Sequence, residues 1–125
     1  MKKFLQNPLL LVVLFLSSIP ISAHDFEVDG IYYNITSSET YEVAVTSGDK
    51  KYSGDIILPE SVVYNDILYA VSSINSNAFV DCSELNAVTI GKSIVKIGNF
   101  AFNGCINLIN LIIEDCSKEL SLGYN

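Results

Sequence analysis

The chain has 125 residues, half of them apolar, with seven lysines, no arginine and fourteen Asp and Glu, a formal net charge of −7. An acidic surface without arginine repels phosphate backbones, which makes nucleic acid and anionic membrane poor partners. With a single histidine, His24, the side chains provide no His/Asp constellation for a Ser or Cys nucleophile.

Residues 1–23 read as a secretory signal: Lys2 and Lys3 form a basic start, Leu9 to Leu16 is an apolar run, and Ser22-Ala23 offers small residues for cleavage. The run is far shorter than the roughly 20 residues a spanning helix needs, so the chain does not span a membrane. His24 rather than Cys follows the cleavage point, which argues against a lipid anchor. The expected product is secreted or on the cell surface. It has 102 residues, enough for one small domain, and without Lys2 and Lys3 a charge of −9.

Residues 24–70 alternate short strands with turn chemistry. Phe26 to Val28 and Ile31 to Ile35 flank Asp29-Gly30, a two-residue hairpin signal. Tyr41 to Thr46 alternates apolar and polar residues, the Ser47 to Lys50 cluster turns the chain, and Asp55 to Leu58 follows. Asn65-Asp66 predicts a second hairpin between Val62 to Tyr64 and Ile67 to Val71.

From residue 71 onward the chain repeats itself. Ile74, Ala78, Phe79, Cys82, Leu85, Val88 and Ile90 recur 23 residues later as Ile97, Ala101, Phe102, Cys105, Leu108, Leu111 and Ile113. That period predicts an α/β-type solenoid of stacked coils with a short parallel sheet on one face. Val88 to Ile90 and Leu111 to Ile113 are the expected strands. The spacing of Ala78, Phe79, Cys82 and Leu85 predicts a short helix or 3₁₀ turn in the returning limb. The expected core comprises Ile74, Phe79, Cys82, Leu85, Val88, Ile90, Ile97, Phe102, Cys105, Leu108, Leu111 and Ile113. A degenerate copy precedes it: Ile56, Leu58, Ser61 and Val62 match Val88, Ile90, Ser93 and Ile94 at an offset of 32, which is 23 plus a nine-residue insertion holding the Asn65-Asp66 hairpin. The expected organisation is therefore a signal at 1–23, a β-hairpin-rich amino-terminal cap with a degenerate repeat at 24–70, and regular coils at 71–125. Ser117 to Asn125 shows no cap, so an apolar carboxyl-terminal edge is expected.

Three cysteines leave either a disulfide and a free thiol or three thiols. Cys82 and Cys105 share one repeat position, which favours buried thiols while leaving a Cys82–Cys105 bridge open; Cys116 has no counterpart. With His24 the three cysteines form a nominal zinc set, but spacings of 23 and 11 lack the short paired separations of zinc sites. Asp25, Glu27 and Asp29 could bind calcium from one strand face, although a solvated face explains them better. Asn34-Ile35-Thr36 matches the glycosylation triplet, read as chance. Tyr32, Tyr33, Tyr41, Tyr52, Tyr64 and Tyr69 gather in residues 24–70, where packing is favoured over ligand contact. No cofactor or metal is expected, no contact residue can be named, and no enzyme activity is indicated.

Ile97-Gly98, then Ala101-Phe102-Asn103-Gly104-Cys105, Leu108, Leu111 and Ile113, resemble the BspA-like leucine-rich-repeat proteins, secreted or surface proteins of anaerobic bacteria. The earlier copy departs from that pattern at Asn75 and Asp81, where glycine is usual. The resemblance implies a leucine-rich-repeat solenoid, a short or truncated member, acting in adhesion with host extracellular-matrix protein as the ligand class. The alternative is a capping fragment of purely structural role that self-associates through its last coil.

Overall fold

The computed structural model describes residues 24–114 and 119–124; the leader read at 1–23 and Cys116 lie outside them. Turn chemistry sets the first strands. β1 (Phe26–Val28) and β2 (Ile31–Ser37) meet at Asp29 and Gly30, with φ of 52° and 81°. Two successive positive φ values give a primed turn whose twist matches that of the flanking strands. β3 (Glu42–Thr46) pairs antiparallel with β2, β4 (Gly54–Ile57) follows, and β5 (Ser61–Tyr64) folds onto β6 (Ile67–Ile74) through Asn65 and Asp66, at φ of 50° and 62°. The remaining strands are β7 (Leu85–Ile90), β8 (Lys96–Ile97), β9 (Asn110–Ile113) and β10 (Ser121–Leu122).

Two sheets result. The larger has the order β1-β2-β3-β6-β8-β10, with β5 also on β6; the smaller, β4-β7-β9, is wholly parallel. Registers carry the repeat into space. Ile74 lies opposite Ile97, and Val88 opposite Leu111, each 23 residues on. Ile56 lies opposite Val88, an offset of 32, while the hairpin inserted between copies stands aside as β5 and the start of β6. The ladder continues where the sequence pattern weakens, since Ile97 pairs with Leu122 at an offset of 25.

The returning limb is not helical, and the described residues contain no helix, so the α/β expectation gives way to strands and turns. Single bonds three residues apart close separate turns: Ala78 N–H to Asn75 O, Cys82 N–H to Phe79 O and Leu85 N–H to Cys82 O, each at 3.2 Å. Between them Asn77 and Asp81 adopt φ of 60° and 56°, and their counterparts Phe100 and Gly104 adopt 56° and 80°. A helix cannot contain left-handed residues, so this backbone re-aims every few residues. Its amides bond the next coil instead: the N–H groups of Asn77, Phe79 and Asp81 donate to the carbonyls of Asn99, Ala101 and Asn103, at 3.1, 2.8 and 2.7 Å.

Side chains reinforce that ladder. Ser76 Oγ accepts the Asn99 N–H, and Asn99 Oδ1 accepts the Tyr124 N–H, the same device one coil later. Approach here is close. A β-carbon on Gly98 would stand 2.3 Å from the Ser76 nitrogen, and one on Gly123 would stand 2.5 Å from the Asn99 nitrogen. Glycine after the strand is thus required by the coil above it.

Ile74, Ala78, Phe79, Cys82, Leu85, Val88, Ile90, Ile94, Ile97 and Ala101 form a continuous buried core between the sheets and the turns. An aromatic column runs through it: Tyr52 to Phe79 at 4.7 Å between centroids, and Phe79 to Phe102 at 5.0 Å and 9°. Five residues expected inside are less covered. Phe102, Cys105 and Leu108 are half-buried, and Leu111 and Ile113 are each 45 % exposed, because no described strand pairs with β9 beyond β7. A second departure is β3, where Val43 to Thr46 are all buried instead of alternating, since the strand lies between β2 and β6 in mid-sheet.

The Tyr52 hydroxyl joins the first strands to the stack. It donates to the Thr46 carbonyl at 2.6 Å and accepts the Tyr32 N–H at 3.0 Å, while the Tyr32 hydroxyl accepts the Lys50 N–H at 3.2 Å. Removing it by Tyr52→Phe strands a buried donor and a buried acceptor, so urea unfolding should show a loss of about 1–3 kcal/mol. Phe79→Ala, which empties the middle of the aromatic column, should cost about 3–5 kcal/mol, and Phe102→Ala less, because that ring is only half-buried. Equal losses for the two phenylalanines would contradict the column.

Candidate interaction surface

Parallel pairing at a fixed register does more than bury one face of β4, β7 and β9; it aligns the residues between the buried ones. Side chains alternate along a strand, so with Leu58, Val88 and Ile90 buried, the intervening positions face out. Two rows of three follow from the register. Asp55, Ala87 and Asn110 make the first, and Ile57, Thr89 and Ile112 the second. Strands about 4.8 Å apart place each row across roughly 10 Å. Ile57 is 72 % exposed and Ile112 51 %, with half-buried Thr89 between them, so the second row is an apolar-rimmed strip on an acidic protein.

Such a face offers apolar and hydrogen-bonding side chains for contact. Neither row contains a histidine, cysteine or lysine, and no group of three or more potential metal ligands gathers among the described residues. Sequence analysis named no contact residue, and all six of these escaped it. The signal was present in the residue between the inward ones, Thr89 in Val88-Thr89-Ile90 and Ile112 in Leu111-Ile112-Ile113. It becomes informative only when the coils are laid side by side.

The other candidates are absorbed by local structure. The His24 ring lies against Tyr32, with centroids 4.6 Å apart. Asp25 is tied to β2, its carboxylate accepting the Ile35 N–H at 2.8 Å and its own N–H donating to Asn34 Oδ1 at 3.0 Å. Asp29 occupies the hairpin turn and Glu27 is exposed. Of the six tyrosines, Tyr32, Tyr33, Tyr52 and Tyr69 are buried, Tyr64 is half-buried with its ring stacked on Phe26 at 4.1 Å, and Tyr41 is exposed. Cys82 and Cys105 are both free thiols, and Cys105 Sγ donates to the Phe79 carbonyl at 2.9 Å. No helix among the described residues is long and apolar enough to cross a membrane.

A model of the BspA type leucine-rich repeat region (6 copies) matches residues 58–123, just over half of the chain. Among solved structures, the chain is similar to a leucine-rich repeat protein from Bacteroides ovatus, with 31 % identity and a TM-score of 0.65 over 70 % of this chain and 23 % of that one. A leucine-rich cell surface protein from Faecalibacterium prausnitzii is similar at 21 % identity and a TM-score of 0.64, over 86 % of this chain and 27 % of that one. The T. pallidum leucine-rich repeat protein shares the fold at 22 % identity and a TM-score of 0.57, over 70 % of this chain and 38 % of that one. The chain thus spans about a quarter of the length of the first two. No curated protein matches it.

Burial pushes the Cys82 and Cys105 thiols above their ordinary 9.0, and burial together with the Asp29 charge pushes Tyr33 up to about 12 from 10.0. Each group keeps its proton more tightly folded than unfolded. Below the ordinary thiol value both states are protonated and stability does not depend on these groups; above it the unfolded chain loses protons first, and stability falls with rising pH. Urea unfolding from pH 7 upward should therefore be flat and then decline beyond about pH 9, with the onset moved upward in a Cys82→Ala, Cys105→Ala variant.

Proposed function

This chain belongs to the BspA-type leucine-rich repeat family, and from that premise we propose that it is a non-catalytic protein-interaction module whose ligand lies on the outward rows of β4, β7 and β9. The observation that carries this reading is the register, which sets Ile57, Thr89 and Ile112 side by side on an exposed face. Exposed apolar residues gathered in one strip on a charged protein mark contact surfaces. Residues 24–70 act as the amino-terminal cap of the coils, covering with β1, β2 and β3 a stack edge that would otherwise be bare.

Export follows in the same reading, through the leader at 1–23, to the cell surface or beyond it. The cell-surface description of the Faecalibacterium protein supports this location. The ligand class is extracellular-matrix protein of a host, and the role is adhesion. A second reading has support in Leu111 and Ile113, which occupy core positions yet stand exposed on β9, and it is association between copies through that strand.

Thr89→Arg with Ile112→Asp should abolish binding to a panel of immobilised matrix proteins, while stability falls by no more than about 1 kcal/mol, since Ile112 is exposed and half-buried Thr89 lies on the outward face. Retained binding in this variant would overturn the assignment of the face. Association between copies would instead appear as concentration-dependent sedimentation that Leu111→Lys removes.

A further inference from the structure

A second place for a partner lies on the other side of β4. In the parallel ladder to β7, Gly54 N–H donates to the Glu84 carbonyl at 2.9 Å and Leu58 N–H to the Thr89 carbonyl at 3.0 Å. Parallel pairing uses alternate residues of a strand. The N–H and C=O groups of Asp55 and Ile57 therefore point away from β7, toward an edge where no strand pairs among the described residues. An unpaired row of this kind is a template for another extended chain.

The edge opens into a groove of about 430 Å³. One wall comes from the β1–β2 turn through Val28, Asp29 and Ile31, and the other from β4 and β5 through Asp55, Ile57 and Val63. The volume lies in the range of ligand sites and suits a few residues of extended chain, not a globular domain. Its walls are mostly apolar, with one carboxylate on each side at Asp29 and Asp55, and no lysine lines it. That composition selects an occupant with β-branched side chains on one face and positive charge on the other. A second copy fits poorly by charge: β9, the opposite edge of the same sheet, runs straight into Glu114 on a chain of net charge −7.

We propose that the free edge of β4 and the groove beside it bind an extended, lysine- or arginine-bearing segment of a partner protein, which adds to the smaller sheet as a further strand. Backbone hydrogen bonds to Asp55 and Ile57 supply affinity, and Asp29 and Asp55 select positive charge. This site shares Asp55 and Ile57 with the outward rows but is built on the free edge of β4, whereas Thr89 and Ile112 lie farther across the sheet.

The probe is a fluorescent, end-blocked peptide of alternating valine and lysine, six residues long, titrated with the purified chain and read by anisotropy. Saturable binding is expected. N-methylation of every second residue, in whichever phase faces β4, should weaken binding at least about tenfold with the charge unchanged, and a valine–glutamate peptide should not bind. Asp29→Asn, which keeps a residue suited to the turn, should weaken it severalfold. Ile57→Pro removes one outward N–H without touching the bonds to β7, and should match the effect of N-methylation. The Thr89→Arg, Ile112→Asp variant, unchanged in net charge, should leave peptide binding intact even where it abolishes matrix binding, so the two surfaces fail separately. Equal affinity for both N-methylated phases would reduce the interaction to charge attraction and overturn the proposal. So would a lack of saturable binding at millimolar peptide, or self-association of the chain that Ile57→Pro abolishes.

Discussion

No single pass of this chain can bury its own apolar side chains, and the molecule exists because each pass hydrogen-bonds its backbone to the next. The constraint is continuous, running through the parallel ladders of both sheets and, between them, through turns whose amides at Asn77, Phe79 and Asp81 reach across to Asn99, Ala101 and Asn103. Every other feature answers to that spacing. Phe79 and Phe102 stack face to face because their coils hold them one strand spacing apart, and Gly98 and Gly123 lack side chains because the backbone above leaves no room.

The same constraint divides the residues by role. Positions that point inward are committed to packing, including Cys82 and Cys105, which serve as small apolar groups with their thiols held protonated by burial. Positions that point outward are released from the fold and free to carry recognition. The aromatic cluster of residues 24–70 belongs to the first class. Tyr52 ties β2 and β3 to the stack through a hydroxyl with two backbone partners, and Phe26, Tyr33 and Tyr64 stack in the hairpins. These rings pack on one another, and Tyr52 packs on Phe79 of the first coil.

Periodic and local signals were legible in the sequence, and signals that depend on neighbours were not. Asp29-Gly30 and Asn65-Asp66 announced their turns because positive φ is a property of the residue pair itself. The offset of 32 at Ile56 was legible because apolar spacing survives an insertion. The returning limb misled, since apolar residues three and four apart suit a helix and equally suit turns that bring one side chain inward each time; Asn77 and Phe100 decide the matter by adopting left-handed backbone. β8, two residues long, has too little pattern to be seen; Leu120-Ser121-Leu122 alternates as a strand does, at β10, but falls out of the 23-residue period because its coil is two residues longer than the one before.

By itself the sequence determined the period and the acidity of the chain, because these depend only on which side chains recur and how they are charged. Tertiary structure alone decided which outward residues become neighbours, that Leu111 and Ile113 stand exposed, and that β4 keeps a free edge beside the first hairpin. The physical reason is that adjacency across strands is a matter of register and of what covers each strand. Residues 23 or 32 positions apart meet only when the coils are stacked.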